Sequence, residues 1–160
     1  MFLMVAVCFL NKLVSYIYKS IKKQYFLNKE MINPPTKIYL KQSPIHGLGV
    51  FASDKIFAGE IFEECPILTL PIPKGQGSPL LIDYRFNWPQ GTEPEEQVIA
   101  LGYGCFYNHS EDANCYWISD IEKRTFKFIA HRDIEIGEEI LTWYGDVNYW
   151  NDGRQKTVVI

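Results

Sequence analysis

Gly102-Tyr103-Gly104-Cys105-Phe106-Tyr107-Asn108-His109-Ser110-Glu111-Asp112-Ala113-Asn114 is the stretch on which the reading of this chain turns. Aromatic residues suited to a core run directly into a polar knot of Asn108, His109, Ser110 and Asn114. Polar side chains beside a core must find hydrogen-bond partners inside the protein or on a ligand. The asparagines and nearby backbone suit the amino and carboxylate ends of a methionine-like moiety, and His109 suits an adenine. A purely structural knot is the alternative. Asn108-His109-Ser110 is also formally a glycosylation sequon, but Cys105-Phe106-Tyr107 beside it argues for burial, not for the exposed loop that modification requires.

Two further segments flank this knot. Upstream lies His46-Gly47-Leu48-Gly49-Val50-Phe51-Ala52. Its Gly47-Leu48-Gly49 lacks the third glycine and following helix of a dinucleotide-binding turn. It reads either as a tight turn or as backbone that a ligand approaches closely, since no Cβ intrudes. Downstream lies Gly137-Glu138-Glu139-Ile140-Leu141-Thr142-Trp143-Tyr144-Gly145-Asp146, followed by Tyr149-Trp150. Aromatic residues this dense suit a narrow channel or the cover of a cofactor, and their ring faces stabilise an ammonium or sulfonium. Core packing is the alternative for Trp143.

Bulk properties narrow the classes. At 160 residues, 47% hydrophobic and 15% aromatic, the chain supports one domain with a real core, not a disordered segment. The net charge of −3 conceals an asymmetry: residues 1–29 carry five Lys and no acid, while the remainder carries 11 Lys and Arg against 19 Asp and Glu, a net of −8. An acidic body excludes the cationic footprint of a nucleic-acid binder and suits a basic partner such as a Lys-rich tail. Simple solubility is the competing reading. Cys8, Cys65, Cys105 and Cys115 have neither CxxC spacing nor a disulfide pattern, so no metal is expected.

Met1–Leu10 is apolar but shorter than the ~20 residues of a membrane span, and it lacks the features of a signal peptide. Leu13, Val14, Ile17, Tyr18 and Ile21 then share a helical face apart from Lys12, Lys19 and Lys23. Residues 1–31 therefore form an amphipathic extension. It is either a docked helix or a start-site artefact preceding Met31, both ranked above a membrane anchor. Asn33-Pro34-Pro35 ends it. From Lys37 the pattern predicts short strands at Lys37–Lys41, Gly49–Ala52, Glu60–Glu63, Ile67–Leu70, Cys115–Ile118, Thr125–Ala130 and Glu139–Thr142. It also predicts a loop over Pro71–Pro79 and a helix over Glu93–Leu101, whose first turn is acidic. The body is mostly β. The pattern A-x-x-x-I-x-x-G-E occurs twice, at Ala52–Glu60 and Ala130–Glu138. It reads as a paired architecture or as two unrelated β-turn-β units.

In this order, Gly47-x-Gly49, Asn108-His109-Ser110-x-x-x-Asn114 and Gly137-Glu138-Glu139-Ile140…Tyr144 resemble the SET-domain protein-lysine methyltransferases. Ser43-Pro44, Glu63-Glu64-Cys65, Ala100-Leu101-Gly102 and Tyr144-Gly145-Asp146…Tyr149-Trp150 are most similar to the minimal viral and bacterial members. The resemblance implies a β-clip fold of short strands and small sheets with a C-terminal pseudoknot, over residues 35–152, with 153–160 as a tail. It implies S-adenosyl-L-methionine as methyl donor and a lysine of a protein or peptide, a histone tail among the candidates, as acceptor. By that match Tyr144 is catalytic. Gly47, Leu48, Gly49, Asn108, His109, Tyr149 and Trp150 hold the cofactor. Tyr103, Cys105, Phe106, Tyr107, Thr142 and Trp143 line the substrate channel. Ala113 replaces the family's usual proline. Trp143 stands as in a branch whose activity is not universal, and Thr142 occupies a position that sets the degree of methylation. A SET-fold binding module with weak or no turnover is the competing function. Minimal members also suggest a homodimer, and location, cytoplasmic or nuclear, follows from whichever substrate is used.

Overall fold

In the computed structural model, the described residues are Lys19, 31–71, Leu81, 83–89 and 96–145. The chain divides into two compact units, Met1–Ile32 and Asn33–Ile160. The expected N-terminal helix, the 153–160 tail, Tyr149 and Trp150 fall outside the described residues, apart from isolated positions of the extension.

Nine strands are described in the second unit: β1 Ile38–Gln42, β2 Leu48–Ala52, β3 Ile61–Leu70, β4 Arg85–Trp88, β5 Glu96–Ala100, β6 Asn108–His109, β7 Cys115–Asp120, β8 Thr125–Ala130 and β9 Glu139–Thr142. They join in the order β1-β2-β9-β7-β8-β3-β5-β4, with β6 alongside β9. The fold is mostly β, as the short apolar runs predict. Two predicted strands, Glu60–Glu63 and Ile67–Leu70, are one. β3 pairs with β8 from Ile61 to Pro66, then passes to β5 from Ile67 to Leu70. Pro66 stands at the changeover, where its missing N–H costs no continuing ladder bond, and its carbonyl accepts Leu101 N–H at 2.8 Å.

The helix expected over Glu93–Leu101 is not there, since Glu96–Ala100 is strand β5. Its alternation buries Val98 and Ala100, and it is hydrogen-bonded on both sides, to β3 and β4. Two ladders and a buried face outweigh the modest helical preference of an acidic first turn. β4 was not anticipated. It buries Trp88 edge-on against Phe126, ring centroids 5.0 Å apart. Phe126 and Phe128 of β8 are fully buried at the centre of the core, each side chain stabilising the fold by roughly 2–3 kcal/mol.

The repeated pattern folds into two reciprocal halves. Ile56 N–H donates to Ile134 O at 3.1 Å and Ile134 N–H to Ile56 O at 2.9 Å. Ala52 N–H donates to Glu138 O and Ala130 N–H to Glu60 O, both at 3.0 Å. Gly137 N–H donates to Ala52 O at 2.8 Å and Gly59 N–H to Ala130 O at 2.9 Å. The two glycines have φ of 82° and 80°, in the region that a Cβ disfavours. The shared letters therefore mark a paired architecture, with Ile56 and Ile134 fully buried at its centre.

This pairing brings the end of the described chain back to its beginning. β9 lies antiparallel to β2 and parallel to β6 and β7. The 110–114 loop holds it: Ser110 N–H donates to Thr142 O at 3.1 Å and Asn114 N–H to Leu141 O at 3.2 Å.

Candidate active site

Three segments far apart in sequence meet at the Asn108–His109 pair. Strand β6 is only two residues long, but its register against β9 sets Asn108 opposite Leu141 and His109 opposite Thr142. Asn108 is buried. Its Nδ2 lies 2.9 Å from Glu139 Oε1, 3.1 Å from His46 O and 3.3 Å from Leu48 O. An amide nitrogen has two hydrogens, so three acceptors saturate it. Glu139 continues the link: its Oε2 accepts Ser43 Oγ–H at 3.0 Å, and Ser43 Oγ in turn accepts Ile45 N–H at 2.9 Å.

The 43–49 loop is thus fastened from one side by Asn108 and from the other by Glu139. Gly49 is needed there, because a Cβ would sit 2.2 Å from Glu139 Oε1 and 3.1 Å from Asn108 Nδ2. Gly47 turns the chain at φ 47°, and Leu48 is exposed beside it. The sequence picked out Gly47, Leu48, Gly49 and Asn108. It missed Ser43 and Glu139, although Glu139 sits in a segment already singled out.

His109 and Tyr144 form the second junction. Tyr144 N–H donates to His109 Nδ1 at 3.1 Å, which places the imidazole proton on Nε2, 3.4 Å from Glu111 Oε1. The two rings are tilted, with centroids 5.3 Å apart. The Tyr144 hydroxyl donates to Tyr107 O at 2.5 Å. Backbone and side chain of one tyrosine are therefore fixed to two residues of a single segment.

The residues expected to line a channel fall into two groups. Tyr103, Cys105, Phe106 and Tyr107 lie on the turn between β5 and β6, closed by a 2.8 Å bond from Phe106 N–H to Tyr103 O. Tyr107 is buried and stacked on Phe128 at 4.4 Å. Cys105 is half-buried, and its thiol donates to Ala100 O at 3.1 Å. Thr142 is buried and faces the Cys115 thiol across the β7–β9 pair, without a hydrogen bond of ordinary geometry. Trp143 is half exposed, so among the described residues it is not a core side chain.

Burial pushes the Cys105 thiol up to about 11 and the Cys115 thiol up to about 12, and raises Cys65 further still. All three are free and protonated at neutral pH, unsuited to nucleophilic or ligand roles. Among the described residues no cluster of three or more His, Cys, Asp and Glu could hold a metal ion.

The SET domain profile matches residues 47–145. The chain belongs to the SET-domain family. A histone-lysine N-methyltransferase of Schizosaccharomyces pombe, specific for histone H3 lysine-37, is 32% identical over 110 residues, covering 66% of this chain and 71% of that protein. A crystal structure of a Plasmodium falciparum protein, provisionally assigned as a histone methyltransferase, superposes with a TM-score of 0.56 at 29% identity. It covers 72% of this chain and 96% of that one. In this SET domain the matched span begins at Gly47 and closes just after Tyr144, enclosing the His109–Tyr144 junction and, of the other, Leu48, Asn108 and Glu139.

Proposed function

We propose that this SET domain methylates the side-chain amine of lysine in a basic protein, with S-adenosyl-L-methionine as methyl donor. The observation that carries the reading is the double fixation of Tyr144: amide on His109, hydroxyl on Tyr107 O. A phenol so held serves positioning, because its proton is committed to a carbonyl and its oxygen lone pairs remain to orient an incoming N–H. Family membership supports the reaction class, and the names of the yeast and Plasmodium relatives support a histone acceptor.

The residues at hand suit the donor. The 46–49 backbone, fastened by Asn108, and the His109 ring offer hydrogen-bonding groups for an amino-acid end and a flat face for a base. Gly47, Leu48, Gly49, Asn108 and His109 would hold it, with Tyr149 and Trp150 flanking. When bound, S-adenosyl-L-methionine supplies an electrophilic methyl group to the lysine nitrogen, and the electrons of the broken C–S bond stay on sulfur.

The protein's part is to present that nitrogen unprotonated and in line. A free lysine has a pKa of about 10.4. A channel lined by Tyr103 and Phe106, as the family resemblance implies, would strip water from the ammonium and favour loss of its proton to solvent. Alignment by Tyr144 and the Tyr107 carbonyl then supplies the remaining advantage. The acidic body attracts a Lys-rich acceptor.

Label transfer from the methyl donor to histones, checked on peptides with the target lysine replaced by arginine, tests the reading. Tyr144→Phe should lower turnover at least ~100-fold, the scale of a lost positioned hydrogen-bonding group. Near-normal turnover in that variant would remove Tyr144 from the chemistry, and donor binding without transfer to any basic protein would favour a binding module.

A further inference from the structure

A carboxylate lies in the core of this domain, and the site described above does not use it. Glu63 is 3% exposed. The β-bulge between Ile61 and Glu63 interrupts the register with β8, and two consecutive residues, Phe62 and Glu63, are both buried there. Bulges commonly re-aim a side chain next to a functional site. No basic side chain pairs with Glu63 among the described residues. Desolvating a carboxylate costs several kcal/mol, so its remaining partners show what it is held for.

Apart from the thiol of Cys65 on the same strand, those partners are the two ends of one turn. Tyr103 N–H donates to Glu63 Oε1 at 2.8 Å, and the Tyr107 hydroxyl donates to Glu63 Oε2 at 2.6 Å. The turn between them is closed by Phe106 N–H on Tyr103 O. Gly102, at φ 76°, leaves the space that Oε1 occupies, since a Cβ would lie 2.8 Å from it. One carboxylate thus supports an arch of five residues at both feet. The far side of that arch is Tyr107 O, the acceptor of the Tyr144 hydroxyl.

We infer that Glu63 is a positioning residue for methyl transfer: it fixes the Tyr103–Tyr107 turn from inside the core, and through Tyr107 O it sets where the Tyr144 hydroxyl stands. The inference rests on the transferase reading. Glu63 touches no reacting atom. Its influence falls on alignment, and a displacement of about 1 Å at such a site costs up to ~100-fold in rate.

The test uses the full chain, with histone acceptor and labelled methyl donor, and compares Glu63→Ala, Glu63→Gln and Tyr107→Phe. Glu63→Ala should lower kcat by at least ~30-fold, while acceptor KM and calorimetric donor Kd stay within about threefold of wild type, the signature of lost alignment without lost binding. Gln can accept from Tyr103 N–H and donate to the Tyr107 oxygen, so Glu63→Gln should recover kcat to within about fivefold. Tyr107→Phe removes one hydroxyl from a ring otherwise held by Phe128. It should lower kcat about five- to tenfold with the same split, and it decides the matter alone if Glu63→Ala does not fold. Wild-type kcat in Tyr107→Phe, or kcat, Kd and melting temperature falling together in every variant, would overturn the assignment. An active wild type with active variants overturns only the role of Glu63. A wild type that transfers no label overturns the transferase reading and this inference with it.

Discussion

Glu63 is subject to opposed influences. Burial raises its pKa, the Tyr107 hydroxyl and Tyr103 amide lower it, and burial prevails. The folded protein therefore holds this proton more tightly than the unfolded chain does. As pH rises past the ordinary carboxyl value of about 4.3, the unfolded chain ionises first and gains free energy. Stability falls until the pH passes the raised folded value, then levels off. Glu63→Gln carries no such proton. Urea unfolding of both proteins from pH 4 to pH 8 should show wild type losing ground to the Gln variant as pH rises, and parallel profiles would contradict a raised pKa. Residue identities at the site were legible unequally. Asn108, His109 and Tyr144 stand in short motifs whose chemistry suggests a ligand. Glu63 was not legible as a site residue, because one of two adjacent acids in a short apolar run reads as pointing to solvent until the fold buries it against residues 40 and 44 positions away. Ser43 and Glu139 were hidden for the same reason: their bond spans 96 positions.

Elements were read best where local pattern and tertiary demand agree. Thr125–Ala130 is a strand, as its sequence suggests, although every residue but Lys127 is buried, so it is a core strand and not the half-buried one that the alternation of Thr125–Phe128 implies. Glu96–Ala100 was misread because Glu96-Gln97-Val98-Ile99-Ala100 fits either period over so short a run, and only pairing with β3 and β4 decides. β4 escaped notice because four residues carry too little periodicity. The A-x-x-x-I-x-x-G-E repeat was legible as letters, yet its meaning lay in the exchange of backbone bonds between the two copies. That exchange predicts equivalence. Ile56 and Ile134 occupy matching, fully buried positions, so Ile56→Ala and Ile134→Ala should each cost about 2–5 kcal/mol and differ by no more than about 1. Urea midpoints at unchanged slope measure this. A strongly unequal pair would mean that the resemblance stops at the backbone.

At the scale of the whole molecule, the acidic residues of the body outnumber the basic ones by eight, although several acids are neutralised locally, as in Lys37–Glu60, Lys127–Asp120 and Arg132–Glu138. If the excess attracts a basic acceptor, raising ionic strength from 0.05 to about 0.5 M should raise acceptor KM several-fold. kcat and donor Kd should change far less, and a KM indifferent to salt would assign recognition to shape alone. Composition made this acidity legible, but no sequence pattern reveals which surface carries it. A last consequence follows from the fastening of the 43–49 loop by Asn108 and Glu139. Neither clamp exists while the ribosome has delivered only the first hundred residues, and both act together only once β9 has cleared the exit tunnel. A nascent chain thus has no finished 43–49 loop until the segment carrying Glu139 has emerged, which makes closure of this loop a late event in folding.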